Sequence, residues 1–172
     1  MESGKSKMRR RNILHMAAIA VGLALPLSAQ AQNLGLTLDQ YIAGFEAASK
    51  AAGDPLSAQQ LSCMENAKPG DGAQKIVSCT FTLGGGRLLI TNADPDGPLL
   101  DIATQPWPGE TGAQIISWIA GAINEADPST FSAAAEDLAE AVAAKGEGTA
   151  TLGRSNFYVL DLGGNMTITA QP

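Results

Sequence analysis

The sequence predicts a single α+β domain, with an antiparallel sheet of six or seven strands and about three helices packed on one face. Two regions of alternating apolar and polar residues, 61–104 and 149–170, are typical of half-buried strands. Segments with helical spacing precede and separate these regions instead of following each strand in turn, and this order favours an antiparallel sheet. A length of 172 residues suits one domain.

The first 31 residues predict a cleavable signal peptide. Basic residues precede an apolar segment, 13–27, and Ala29-Gln30-Ala31 matches the small-x-small cleavage pattern. The domain then spans 32–172, where no second apolar segment is long enough for a membrane span. The pentad Arg10-Arg11-Asn12-Ile13-Leu14 resembles a twin-arginine signal, although ordinary secretory signals also contain arginines. Both export routes stay open, and each leads to the periplasm or to secretion.

The charged residues exclude several classes of function. The chain has 11 basic and 17 acidic residues; the predicted signal contains 5 and 1 of them, which leaves 6 and 16 and a net charge near −10. Such a domain repels nucleic acid and anionic lipid. The only histidine, His15, lies in the signal, which excludes Ser-His-Asp catalysis and His-ligated metal sites. We expect no cofactor.

The first helix is predicted to begin at Thr37, where Gln40 three residues later completes a capping box. Thr111 and Gln114 have the same spacing at the start of the second helix. Asp127-Pro128 is predicted to begin the third, which Gly146 ends. The apolar positions expected to face the sheet are Leu38, Tyr41, Ile42, Phe45 and Ala48, then Ile115, Ile116, Trp118, Ile119, Ala122 and Ile123, then Phe131, Ala134, Ala135, Leu138, Ala141 and Val142.

Residues 61–92 are predicted to form three antiparallel strands. In the middle strand an apolar face alternates with a polar face that includes Thr80 and Thr82. Gly84-Gly85-Gly86 allows a tight reversal into the third strand. The predicted apolar face comprises Val77, Cys79, Phe81, Leu83, Leu88 and Ile90.

Cys63 and Cys79 are predicted to form a structural disulfide. Cys63 shares a strand face with Leu61, and both cysteines are expected to point toward the core, so they can meet across neighbouring strands. Their separation of 16 residues differs from the Cys-x-x-Cys spacing of redox enzymes. The bond would close a loop of about 17 residues and stabilise the fold by about 3 kcal/mol.

The segment 92–97 has the ligand spacing of a calcium loop. Asn92, Asp94 and Asp96 occupy positions 1, 3 and 5, and glycine follows at position 6. Ala103 then stands where a glutamate is required, and Asp101 could replace it only in a different geometry. These four polar residues are weak cation candidates, and an ordinary acidic turn is the preferred interpretation because turns favour the same residue types.

Residues 98–104 are predicted to form another strand, and Pro106-Trp107-Pro108 is predicted to be an extended loop. An indole on such a loop either anchors a partner or covers the core. The sequence favours the core and leaves Trp107 as a candidate partner contact. The last strands, 149–152, 157–160 and 166–170, are separated by glycine-containing turns that predict a meander.

Three functions fit these features. The preferred hypothesis is an exported non-enzymatic binding or adaptor protein of the bacterial periplasm, which uses a polar sheet face containing Thr80 and Thr82. The first alternative is a small carboxylate-dependent enzyme such as a hydrolase, with Asp94, Asp96 and Asp101 assisted by Tyr158 or a lysine. The second is a structural envelope protein that self-associates through an edge strand.

Intact mass tests both the predicted cleavage and the predicted disulfide. Protein isolated from the periplasm should begin at Gln32 and should be two hydrogen atoms lighter than its reduced form. A mass that includes residues 1–31, or two thiols that alkylate without reduction, would contradict the corresponding prediction.

Overall fold

The computed structural model describes residues 33–68 and 71–172, with only the backbone described for residues 71–73. The predicted signal peptide, its twin-arginine pentad and the predicted cleavage site lie outside the described residues. None of the described helices is long and apolar enough to cross a membrane. The elements are α1 (Leu38–Ala51), β1 (Gln59–Lys68), β2 (Asp71–Gly84), β3 (Arg87–Ala93), β4 (Leu99–Pro108), α2 (Gly112–Asn124), α3 (Ser132–Lys145), β5 (Glu147–Leu152), β6 (Ser155–Asp161) and β7 (Asn165–Gln171).

The predicted fold class is confirmed. The seven strands of the described residues form one antiparallel sheet in the order β1-β2-β3-β4-β7-β6-β5, and the last three of them form the predicted meander. In β3, β6 and β7 the buried residues of each strand have one parity, and in β4 the parity changes at its two register shifts. The buried apolar residues of these strands belong to the same core cluster as those of the helices. The helices therefore pack on one face of the sheet, because successive side chains of a strand point to opposite faces.

The second helix is the centre of the core, with ten of its thirteen residues buried. It contacts α1 on one side and α3 on the other. The close approach to α1 occurs at Gly44, where an added Cβ would lie 3.2 Å from the Cα of Ala122. Trp118 meets the ring of Phe45 edge-on, with 6.2 Å between the ring centroids. A helix that is apolar on nearly all sides needs this double cover.

The ends of the helices follow some of the sequence signals. Asp127 caps a 3-10 turn over Pro128–Phe131, and α3 begins after this turn, at Ser132. Thr37 and Gln40 form the predicted capping box of α1, and Gly146 ends α3 with a φ of +82°. The capping box predicted at Thr111 is wrong. A 3-10 turn over Gly109–Thr111 leads directly into α2, and the Thr111 hydroxyl donates to the carbonyl of Pro108 (3.0 Å) instead of accepting from a helical N–H.

The face predicted for β3 is also wrong. Leu89 and Thr91 are buried in the core, while Leu88 and Ile90 are half-buried on the opposite face. The cause is a register shift between Thr82 and Gly84, which sets Thr82 opposite Leu88. One extra residue in β2 moves the returning strand by one position and so exchanges its two faces.

The disulfide between Cys63 and Cys79 is confirmed, and the two residues are directly opposite each other in the register of β1 and β2. Cys79 is buried, whereas Cys63 is exposed. The expectation that Leu61 points toward the core fails, because Leu61 lies at a register shift of β1 and is 59% exposed. The bond therefore attaches an exposed strand to the edge of the core.

Trp107 lies in a strand and not in the predicted loop. It belongs to β4, opposite Met166, and Pro106 lies within the register shift between Thr104 and Trp107. The indole is 1% exposed, its Nε1 donates to the Thr104 hydroxyl (3.0 Å), and the Arg87 guanidinium lies over the ring at 4.6 Å. Trp107 therefore fills the core, and its burial does not fit a role as a partner contact.

A polar clasp connects the C-terminal end of α2 to the turn between β5 and β6. The Asn124 amide donates to the carbonyls of Ala120 (2.8 Å) and Leu152 (3.2 Å), and its oxygen accepts from the Arg154 N–H (2.9 Å). The Arg154 guanidinium also donates to the carbonyl of Ile123. A cation at this end of a helix is favourable because the last carbonyls are otherwise unpaired.

Among the described residues, the core contains one polar side-chain group without a hydrogen-bond partner. Tyr41 is fully buried, and its hydroxyl has no hydrogen-bond partner among the described residues. Burial raises the pKa of the Tyr41 phenol well above its usual range. A buried polar group without a partner costs about 1–3 kcal/mol.

Replacing Tyr41 by phenylalanine should therefore increase the free energy of unfolding by about 1 kcal/mol, as measured by urea denaturation. The control is Tyr158→Phe, which removes a hydroxyl from an exposed ring and should change stability by less than about 0.5 kcal/mol. A loss of stability in Tyr41→Phe would show that the hydroxyl has a favourable partner such as an ordered water.

Candidate binding surface

The sheet face that the helices leave uncovered is the candidate site, and we call it the open face. Its side chains are those of opposite parity to the buried core residues. On its central strands these are Ser78, Thr80 and Thr82 of β2, Leu88, Ile90 and Asn92 of β3, Asp101, Ala103 and Gln105 of β4, Thr167, Thr169 and Gln171 of β7, and Asn156, Tyr158 and Leu160 of β6. Most are half-buried, since each leans on its neighbours but meets no helix.

A hydrogen-bonded row of three side chains crosses this face. Ser78, Asn92 and Asp101 are direct cross-strand partners on β2, β3 and β4. The Ser78 hydroxyl donates to the Asn92 oxygen (2.6 Å), and the Asn92 amide donates to a carboxylate oxygen of Asp101 (2.7 Å). These side chains are thus oriented by bonds within the sheet before any partner arrives.

The carboxylate at the end of this row has an unusual environment. Partial burial raises the pKa of Asp101, and the hydrogen bond from Asn92 opposes that shift without cancelling it. The charged form is therefore incompletely solvated in the free protein. A partner that brings an N–H or a cation to Asp101 would replace the missing solvation.

A shallow depression of about 450 Å³ continues the open face over β5, β6 and β7. Its polar lining consists of Thr149, Thr151, Asn156, Tyr158 and Gln171. The Thr151 hydroxyl donates to Asn156 (2.8 Å), and the Tyr158 hydroxyl donates to the Glu147 carboxylate (3.1 Å). This hydrogen bond raises the pKa of the Tyr158 phenol. The depression thus presents hydroxyl and amide groups around one exposed aromatic ring.

The structure brings some of the predicted contact residues together and separates others. Thr80 and Thr82 lie on the open face, as expected from their alternation. Trp107 lies in the core on the opposite side of the sheet. Sequence reasoning missed Leu88 and Ile90, which place apolar groups beside the threonines. Nothing in the local sequence marks the register shift that moves them there.

The four cation candidates do not form one site. Asn92 and Asp101 are bonded to each other on the open face. Asp94 lies in the turn between β3 and β4, where its carbonyl accepts from the N–H of Gly97 (2.9 Å), and Asp96 occupies this turn with a φ of +56°. Across residues 33–68 and 71–172, no three His, Cys, Asp or Glu side chains are grouped as a metal would require. Asp94 and Asp96 lie in the predicted acidic turn, whereas Asn92 and Asp101 lie in the strands on either side of it.

The proposed catalytic carboxylates are also separated. Asp101 is held in the row on the open face, whereas Asp96 is exposed on the turn. Tyr158 is bonded to Glu147, two strands away from Asp101. General acid–base catalysis needs two groups positioned around one reacting bond, and this arrangement does not provide them.

Comparison with protein-family models, with curated proteins and with solved structures finds no match to this chain.

The raised pKa of Asp101 has a consequence for stability. For a carboxyl whose pKa is higher in the folded state, the folded form binds the extra proton, so stability falls as the pH rises from the ordinary value of 3.8 through the folded-state value. Asp101→Asn should therefore raise the melting temperature at pH 7 relative to the native protein, and this advantage should vanish near pH 3. The amide oxygen that this substitution introduces can still accept from Asn92.

The control for the loss of one negative charge is Asp137→Asn on the exposed side of α3. Subtracting the change in melting temperature of Asp137→Asn from that of Asp101→Asn isolates the contribution of the local environment of Asp101. An Asp101→Asn protein that is less stable than the native protein at pH 7 would contradict the assigned environment.

Proposed function

We propose that this protein is a non-enzymatic binding or adaptor protein of the periplasm, and that its open face contacts a protein partner. The hydrogen-bonded row of Ser78, Asn92 and Asp101 carries the proposal. It combines oriented polar groups, a poorly solvated carboxylate and adjacent apolar side chains on one uncovered surface. Protein interfaces have the same combination of apolar contacts and hydrogen bonds.

The dimensions of the open face favour a macromolecular partner over a small ligand. Seven strands at a spacing of about 4.8 Å give a surface about 29 Å across. Small ligands are usually enclosed in concave sites, whereas the depression at β5–β7 is shallow and most of the open face is a continuous sheet surface. A partner protein can cover such a surface with a patch of the usual size, about 800 Å².

The charge of the domain favours a partner with a basic or donor-rich contact surface. Residues 32–172 carry a net charge near −10. Such a charge attracts a basic surface during diffusion and increases the rate of encounter. At contact, Asp101 can accept from a lysine, an arginine or a main-chain N–H of the partner.

Site-specific photocrosslinking in living cells tests this proposal. A photoreactive residue at Thr80 or Thr169, which lie on β2 and β7 of the open face, should capture the same second protein. The yield of the crosslinked product should fall at high ionic strength, since the expected attraction is between opposite charges.

The matched control positions are Asp137 and Ala144, which are exposed on α3 at the other side of the molecule. Equal capture at these positions, or capture of nothing but the chain itself at Thr80 and Thr169, would overturn the proposal.

A further inference from the structure

The two edges of the sheet differ in how far they are covered. The buried side of β5 carries α3, and at Gly148 an added Cβ would come within 2.9 Å of Leu138 and Val142. Within the described part of the chain β1 pairs with β2 alone, and every side chain from Gln59 to Ala67 is exposed. Leu61 and Met64, at 59% and 62% exposure, are two of the four large apolar side chains exposed in the described part of the chain. A long uncovered edge with apolar groups is a template for pairing with another strand.

The disulfide shows which backbone N–H and C=O groups of β1 point away from β2 and are free to pair with another strand. Directly opposite residues in an antiparallel pair are about 5.5 Å apart at Cα when they bond to each other, and about 4.5 Å apart when they do not. Cys63 and Cys79 are 4.1 Å apart, so they form a pair of the second kind. The N–H and C=O of Cys63 therefore point away from β2. The register is regular from Ser62 to Ala67, so Glu65 and Ala67 also direct theirs outward.

We propose that two copies of this chain pair their β1 strands in antiparallel orientation about a two-fold axis at Met64, and that this joins their sheets into one continuous sheet. In this register, Cys63 of one copy and Glu65 of the second copy exchange main-chain hydrogen bonds, and so does the symmetric pair. About four such bonds result. The two Met64 side chains meet at the closely spaced pair on the axis, and Leu61 lies opposite Ala67.

Other two-fold registers also pair residues whose main-chain N–H and C=O point away from β2, but they are less favourable. An axis at Glu65 places two carboxylates directly opposite each other, which destabilises a strand pair. An axis at Cys63 places Met64 opposite the polar Ser62 and leaves Glu65 facing Leu61. The Met64 axis alone buries both exposed apolar side chains against apolar neighbours and opposes no like charges.

The charges along this edge support a second copy as the occupant. The chain as a whole is strongly acidic, but the β1–β2 hairpin contains Glu65 and Asp71 together with Lys68 and Lys75. Lys75 is paired with Glu65 at 2.5 Å. The hairpin is therefore nearly neutral, and two copies can approach there with the least repulsion.

Because directly opposite residues share a face, the open faces of both copies lie on the same side of the joined sheet.

The interface is small. About five residues of each β1 take part, which is less than the roughly 800 Å² per partner of a standard interface. We therefore expect a dimer that dissociates on dilution, in contrast to a permanent oligomer.

Analytical ultracentrifugation of the protein isolated from cells tests the pairing over micromolar to millimolar concentrations. The native chain should show a monomer–dimer equilibrium that higher salt strengthens, because salt screens the repulsion between two acidic molecules. Met64→Lys places two cations on the axis and should raise the dissociation constant about tenfold or more. Leu162→Lys is the matched control, since Leu162 is 64% exposed but lies in the turn between β6 and β7, and it should leave the equilibrium unchanged.

The register has its own test. Under mild oxidation, Met64→Cys should form a bond between the two introduced cysteines, identified by peptide mapping with the Cys63–Cys79 bond intact, whereas Leu162→Cys should not. A monomer at every concentration, or a dimer that Met64→Lys leaves unchanged, would overturn the proposal. Because Thr169 lies on β7, four strands from β1, capture of a different protein at Thr169 is independent of either result, whereas Thr80 lies directly opposite Ser62 of β1.

Discussion

The burial of α2 is the constraint on which the rest of this structure depends. A helix with ten of thirteen residues buried has almost no surface that can face water. The sheet covers one side of it, and α1 and α3 cover its flanks. At a transfer free energy of about 25 cal/mol per Å² of apolar surface, this single helix contributes a large part of the driving force for folding. Its polar C-terminal end is then fixed by the Asn124 clasp to the β5–β6 turn.

Packing every helix around α2 has a consequence for the sheet. All three helices lie on the same face, so the other face has no cover from the described chain. Its residues compensate by bonding to one another across strands. The row from Ser78 to Asp101 is one case, and the Thr167 hydroxyl, which donates to Gln105 at 2.9 Å, is another. A surface organised in this way loses little conformational entropy when a partner binds, because its side chains are already oriented.

The edges of the sheet follow from the same packing. The helical layer covers the central strands and reaches β5 through α3, but it does not extend over β1. A strand exposed on both faces gains little from burial, and the Cys63–Cys79 bond compensates by tying it to β2. The open face and the β1 edge are thus two results of one asymmetric arrangement, because both are parts of the sheet that the helices leave uncovered.

The sequence by itself determined the elements and several of their boundaries. Alternation at period 2 identified β2 and the final meander, and the capping box at Thr37 identified the start of α1, because these signals depend on neighbouring residues alone. It also determined the disulfide, since only two cysteines exist and the strand pattern brings them opposite each other.

Only the tertiary structure decided which side chains form the candidate surface. One extra residue at Leu83 shifts the register and moves Leu88 and Ile90 from the expected core to the open face. The continuation of β4 through Pro106 places Trp107 in the core instead of on a loop. The contact between Asn92 and Asp101 depends on the register of β3 against β4, which shifts by one residue between Asn92 and Ala93. In each case the outcome depends on how strands are aligned across the sheet, and that alignment is set by the packing of the whole core.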